Sequence, residues 1–166
     1  MSRFNSRGLR GSTFEEMVNQ TNEAYRKHGL ALVQKIPTPI VPTRLDSERR
    51  ITMGYFEKKS TLDYIGVAQG VPICFDAKET SRKSLPLQNI HEHQIAFMED
   101  FVRQDGAAFF LVNFKSLGEC YFLPFEVLGQ CTGKSVPYDK FEKKFLISNK
   151  AGFLVHYLEA LAVYLD

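Results

Sequence analysis

Apolar positions recur at helical spacing near the start of the chain. Phe14, Met17, Val18, Thr21 and Tyr25 fall on one stripe, which predicts a helix over 13–28. Ser12-Thr13-Phe14-Glu15 ahead of it has the form of a capping box, a hydroxyl followed three residues on by a carboxylate. Gly29 supplies the stop. Leu30 to Ile36 reads as a strand. Pro37, Pro39 and Pro42 then argue against regular helix or a central strand. The stretch 37–54 has little apolar periodicity and is expected to be a protruding, partly mobile arm, a long loop.

Tyr64–Ala68 and Val71–Lys78, joined by Gln69-Gly70, predict a β-hairpin with a tight turn. Residues 79–90 are polar and read as a loop. His91–Gln104 is a second helix, with Ile95, Phe97, Met98, Phe101 and Val102 on its apolar face. Ala107–Phe114 is a buried strand and Glu119–Leu123 another. Phe125–Gln130 reads as a short helix, and 132–151 holds only short elements. The spacing of Phe153, Val155, Leu158, Leu161 and Leu165 predicts a C-terminal helix from residue 153. The order is α-β-β-β-α-β-β-α, an α/β fold with a mixed sheet and helices on both sides.

Composition narrows the class. The 166 residues are 44% hydrophobic, with 14 Phe, 7 Tyr and no Trp, which suits one globular domain with an aromatic core. No apolar run is long enough to span a bilayer, and the first residues lack the apolar stretch of a signal peptide. Cys74, Cys120 and Cys131 lack metal-type spacing, and their odd number disfavours a disulfide framework, as expected in the cytoplasm. The net charge of +2 is small, but its distribution is not even. Arg7 and Arg10 lie in a flexible basic leader, 1–11. Arg44, Arg49, Arg50, Lys58 and Lys59 crowd one segment, and Arg82 and Lys83 follow another. These nine are the expected contacts to a polyanion.

The chemistry-bearing segment is Asp63, then twelve residues, then Asp76-Ala77-Lys78. On paired strands of a hairpin the two carboxylates can converge, and the two-residue period puts Lys78 on the same face as Asp76. Paired carboxylates bind a hard divalent ion through oxygen and leave positions for phosphate. The lysine can orient or help deprotonate a water, or stabilise charge. Asp76 follows the apolar run Val71-Pro72-Ile73-Cys74-Phe75, where an unpaired carboxylate would be costly. His91 and His93 flank Glu92, but alternate positions at a helix start are not expected to face one another, so a shared ion is not expected there.

This pattern resembles the PD-(D/E)xK nuclease superfamily. More closely, Ser60-Thr61-Leu62-Asp63-Tyr64-Ile65-Gly66, Phe75-Asp76-Ala77-Lys78-Glu79-Thr80 and Leu85-Pro86-Leu87-Gln88-Asn89-Ile90-His91-Glu92-His93-Gln94 are similar to signatures of RecU-type Holliday-junction resolvases. Arg10-Gly11-Ser12-Thr13-Phe14-Glu15 and Lys35-Ile36-Pro37-Thr38-Pro39 also fit that family. The resemblance implies a restriction-endonuclease-like mixed sheet with a stalk arm at 37–54. It implies a homodimeric, Mg²⁺-dependent nuclease, with Mn²⁺ as a substitute, that cuts four-way junction DNA symmetrically. It maps metal ligation onto Thr61, Asp63, Asp76 and Gln94, transition-state stabilisation onto Lys78, and an accessory role onto Glu15. The family usually carries Glu where this chain has Asp76, and the chain is shorter at both ends than many members, as a phage-borne form would be. The competing readings are a sequence-specific endonuclease on the same fold and a non-catalytic DNA-binding recombination factor.

Overall fold

The computed structural model describes residues 13–57 and 61–166. The leader with Arg7 and Arg10, the Ser12 cap, and Lys58, Lys59 and Ser60 lie outside the described residues. Helix α1 is Thr13–Lys27. Ten strands and two further helices follow: β1 (Ala31–Lys35), β2 (Ile40–Leu45), β3 (Ile51–Phe56), β4 (Tyr64–Ala68), β5 (Val71–Thr80), β6 (Ser84–Pro86), α2 (Glu92–Val102), β7 (Ala107–Phe114), β8 (Glu119–Pro124), β9 (Ser135–Pro137), β10 (Leu146–Ile147) and α3 (Tyr157–Leu165).

Six strands form one mixed sheet in the order β1-β4-β5-β7-β8-β10. All neighbours are antiparallel except β5 and β7, which run parallel because α2 carries the chain back between them. The two-residue period separates the faces of the central strands. Ile73 and Phe75 of β5 join Phe109 and Leu111 of β7 beneath α1 and α3, in a core that includes Val18, Tyr25, Tyr157 and Leu161. Cys74 of β5 joins Ala108, Phe110 and Val112 of β7 beneath α2, with Met98, Leu85 and Val136. The expected mixed sheet flanked by helices is therefore observed.

A stack of four rings crosses the first of these cores. Tyr64 lies 4.7 Å from Phe75, Phe75 4.9 Å from Phe109, and Phe109 4.2 Å from Phe122, all near-parallel. The stack fixes β4, β5, β7 and β8 in register beside the residues of interest. Gly66 sets β1 against β4 even more closely. A Cβ there would stand 2.2 Å from the Leu32 carbonyl oxygen and 2.7 Å from Val33 Cα, both backbone. Gly66→Ala is expected to cost about 2 kcal/mol and lower Tm by roughly 5 °C or more, read by thermal denaturation.

Three expectations need correction. Residues 79–90, expected to be a loop, carry the end of β5 and the strand β6, whose Leu85 is buried. The 37–54 arm is not irregular: β2 and β3 pair as an antiparallel ribbon outside the main sheet. Pro42 is tolerated because a two-stranded ribbon has open edges, and register shifts flank Arg44. Asp46 closes the tip by accepting from the backbone N–H groups of Glu48 and Arg50, each at 2.9 Å. The C-terminal helix starts at Tyr157, not 153. Phe153 and Val155 are buried, but Gly152 has φ 83° and the Val155 N–H donates to Thr21 Oγ1 at 3.1 Å, so the segment is tied to α1 instead of coiled. All three cysteines are free, and Cys74 is buried. Among the described residues no helix is long and apolar enough to cross a membrane.

Candidate metal and phosphodiester site

The hairpin β4–β5 turns through Gln69 (φ 49°) and Gly70 (φ 88°), two left-handed residues that suit a tight hairpin. This turn fixes the register Tyr64↔Phe75. Asp63 and Asp76 are the next residues outward from that pair, and Asp76 alternates with Cys74 on the α2 face of β5. The backbone cross-links them. The Asp63 N–H donates to Asp76 Oδ1 at 3.0 Å, and the Ala77 N–H donates to Asp63 Oδ2 at 3.0 Å. Sequence spacing does not reveal these two amide donors, because any residue supplies an N–H.

Asp76 is 1% exposed, and its counter-charge is Lys78, with Nζ 2.5 Å from Asp76 Oδ2. Gln94 is also buried, on the first turn of α2. Its Oε1 accepts from Lys78 Nζ at 3.4 Å and from the His91 N–H at 3.1 Å, so one amide oxygen caps the helix and holds the lysine. Thus Asp63, Asp76, Lys78 and Gln94 come together. Thr61 precedes Asp63 by two residues and is half-buried. Glu15 lies across the sheet edge, where its carboxylate takes Lys35 at 2.6 Å and its charge adds to the field on Asp63. The Lys35 partner was not among the expected site residues; its position on β1 gave no signal beyond a charge.

Burial pushes the Asp63 carboxyl up to about 7, and the neighbouring Asp76 carboxylate pushes in the same direction. A folded-state value above the unfolded one means the folded protein binds more protons between these values. Stability is therefore expected to be greatest below about pH 4 for this group, and to fall as pH rises through about 7. A divalent cation that offsets the paired negative charge should flatten that fall. Denaturation midpoints measured from pH 5 to 8, with and without 5–10 mM Mg²⁺ (about 10 mM is ample for a millimolar-range oxygen site), check both signs.

The remaining expected residues lie elsewhere. Arg44, Arg49 and Arg50 sit on the outer half of the β2–β3 ribbon. Arg50 is ion-paired to Asp46 and Glu48, whereas Arg44 and Arg49 have no ion-pair partner among the described residues. Arg82 and Lys83 are exposed on the corner after β5. The His91 and His93 rings do meet, near-parallel with centroids 5.4 Å apart, contrary to expectation. His91 is extended (φ −88°, ψ 150°) as the residue before the helix, so helical spacing does not govern its side chain. No group of three or more His, Cys, Asp or Glu is arranged to hold a metal among the described residues.

The family model described as "RecU: Recombination protein U" matches residues 9–163. The chain belongs to the Recombination protein U family. It is 41% identical over 164 residues to the Holliday junction resolvase RecU of Streptococcus gordonii, covering 92% of this chain and 82% of that relative. The Holliday junction resolvase RecU of Lactococcus lactis subsp. lactis is 48% identical over 122 residues, 70% of this chain and 57% of that protein. Among solved structures, Archaeoglobus fulgidus Hjc, a Holliday junction resolvase, aligns over 92% of this chain and 99% of its own at 14% identity, with a TM-score of 0.49.

Proposed function

We propose that this chain is a divalent-metal-dependent endonuclease that resolves four-way DNA junctions, with Asp63, Asp76 and Lys78 as its catalytic groups. The observation that supports it most is the Lys78 ammonium, lying between Asp76 Oδ2 and Gln94 Oε1 beside Asp63. A cation already rests on oxygens proposed as ligands. The donor set consists of two carboxylates, an amide oxygen and the Thr61 hydroxyl, all hard oxygen groups that suit Mg²⁺ and accept Mn²⁺. The Asp63 carboxyl is raised by its burial and, in second place, by the Asp76 carboxylate, whose repulsion a bound cation would offset.

When bound, Mg²⁺ would supply an activated water and offset charge on the scissile phosphate. Asp63 and Asp76 would hold it, with Thr61 and Gln94 completing the set, and Glu15 stands close enough to act through its charge. Lys78 would keep its proton and place positive charge where the phosphate becomes more negative. The backbone donors from Asp63 and Ala77 keep both carboxylates from swinging away, so the ligand geometry is preset.

The relatives named Holliday junction resolvase supply the substrate class of this reading. The β2–β3 ribbon would enter the junction opening, with Arg44, Arg49 and Arg50 near its tip. Arg7, Arg10, Lys58 and Lys59 would add phosphate contacts. Two opposed strands must be cut, so the working unit would be a homodimer acting on DNA in the cytoplasm. The test compares a synthetic four-way junction, a linear duplex of the same arms, and plasmid DNA with Mg²⁺ present. The reading expects symmetric nicks in the junction at least 10-fold faster than in the duplex, a difference of about 1.4 kcal/mol. Discrete plasmid fragments with no junction preference would favour a sequence-specific endonuclease instead. Tight junction binding with no cleavage in either Mg²⁺ or Mn²⁺ would favour a non-catalytic recombination factor.

A further inference from the structure

Strands β6 and β9 come from segments about fifty residues apart in the chain, yet they pair with Ser84 opposite Pro137 and Pro86 opposite Ser135. Their central residues, Leu85 and Val136, are fully buried in the core under α2. The flanking residues are basic and exposed: Arg82 and Lys83 on one segment, Lys134 and Lys140 on the other. None of these four has an ion-pair partner among the described residues, whereas Lys35, Arg50, Arg103, Lys115, Lys143 and Lys144 do. Asp139 is the acidic residue within 82–83 and 134–140.

This small sheet is rigidly joined to the candidate site at both ends. At one end, Thr80 Oγ1 of β5 donates to the Ser84 carbonyl and accepts from the Arg82 N–H, each at 3.1 Å. The Tyr138 N–H then donates to the Lys83 carbonyl at 3.2 Å. At the other end, the Leu87 N–H donates to the Lys134 carbonyl at 3.0 Å, and the chain runs directly into His91 and Gln94. Tyr138 is itself fastened, through its hydroxyl, to Glu119, Tyr121 and Lys143.

We propose that the β6–β9 ribbon is a phosphate-binding ledge, on which Arg82, Lys83, Lys134 and Lys140 grip the backbone of the duplex arm next to the cut. The proposal rests on the nuclease reading for the identity of its DNA. Lys83 and Lys134 mark opposite ends of the ribbon, four strand positions and about 13 Å apart, which spans roughly four phosphates of one strand along the helix axis. Four cations along the edge of one ribbon suit the regularly spaced charges of a phosphate backbone. Lys134 and Lys140 escape a reading by linear charge clusters because the strand pairing, not the chain, sets them on the same ribbon as Arg82 and Lys83.

The test is the salt dependence of junction binding in EDTA, where nothing is cut. The triple variant Lys83→Ala, Lys134→Ala, Lys140→Ala is expected to reduce the slope of log affinity against log salt by about 2–3 units, near 0.9 per lost phosphate contact. Lys134→Glu alone is expected to reduce it by about one unit or more. Arg26→Ala with Lys27→Ala, in the last turn of α1, serves as a charge control and should leave the slope unchanged. An unchanged slope in the triple variant, or an equal fall in the control, overturns the ledge. Cleavage by the unaltered protein, run beside these titrations, judges the nuclease reading separately, since the slope is read whether or not cutting occurs.

Discussion

Asp76→Asn is expected to lower junction cleavage by about 10³-fold or more, equivalent to roughly 4 kcal/mol of transition-state stabilisation. The substitution keeps the volume and leaves an oxygen to accept the Asp63 N–H. It removes the charge that Lys78 faces and that a divalent ion would need. Junction affinity in Ca²⁺ or EDTA should remain within about 3-fold, less than 1 kcal/mol, because Asp76 is buried and its loss takes no DNA contact away. Asp76→Ala has a second consequence. It strands a largely buried ammonium and an amide donor, which should cost roughly 3 kcal/mol of stability. Asp76→Glu keeps the carboxylate on a side chain one methylene longer, and should keep cleavage within about 10-fold of the parent, or 1.4 kcal/mol. Single-turnover rates together with denaturation midpoints separate these three outcomes. Full cleavage by Asp76→Asn would remove Asp76 from the catalytic set.

Phe75→Ala is expected to have the largest effect on stability, roughly 3–5 kcal/mol. Phe75 is fully buried between Tyr64 and Phe109 in the four-ring stack, so deleting it opens a cavity that strands cannot collapse to fill. Against a total of about 5–15 kcal/mol, such a loss leaves the protein marginal at 37 °C. Phe75→Leu keeps most of the volume and should cost less than about 1.5 kcal/mol. Tyr64 and Phe75 are the pair next to Asp63 and Asp76, so loosening the stack also loosens the carboxylates. Urea titration of both variants checks the prediction. A Phe75→Ala cost below about 1 kcal/mol would mean that the stack does not organise this end of the sheet.

Much of the site was legible because local geometry dictates it. Gln69-Gly70 reads as a tight hairpin turn from residue type, the turn sets the register Tyr64↔Phe75, and the residues next outward, Asp63 and Asp76, meet. Lys78 joins Asp76 by the strand period alone. Gln94 was legible only through resemblance: nothing in a helix start says that its oxygen will meet Lys78. The features that escaped are long-range. The parallel pairing of β5 with β7 depends on where α2 packs, and the pairing of β6 with β9 joins residues about fifty positions apart. Phe153 and Val155 imitate a helical stripe, but the bond from the Val155 N–H to Thr21 Oγ1 holds their backbone in another form. Pro42 argued against regular structure, and the β2–β3 ribbon absorbs it at a register shift.

Asp63, Asp76 and Lys78 are proposed to form one metal-dependent cutting site. Its most direct test is single-turnover cleavage of a synthetic four-way junction across an Mg²⁺ titration, with the parent, Asp63→Asn and Lys78→Ala side by side. Cleavage by the parent is expected to require Mg²⁺, and each variant is expected to lose about 10²-fold or more with junction binding retained. Cleavage by either variant at the parental rate, or cleavage by the parent in EDTA, would contradict that proposal.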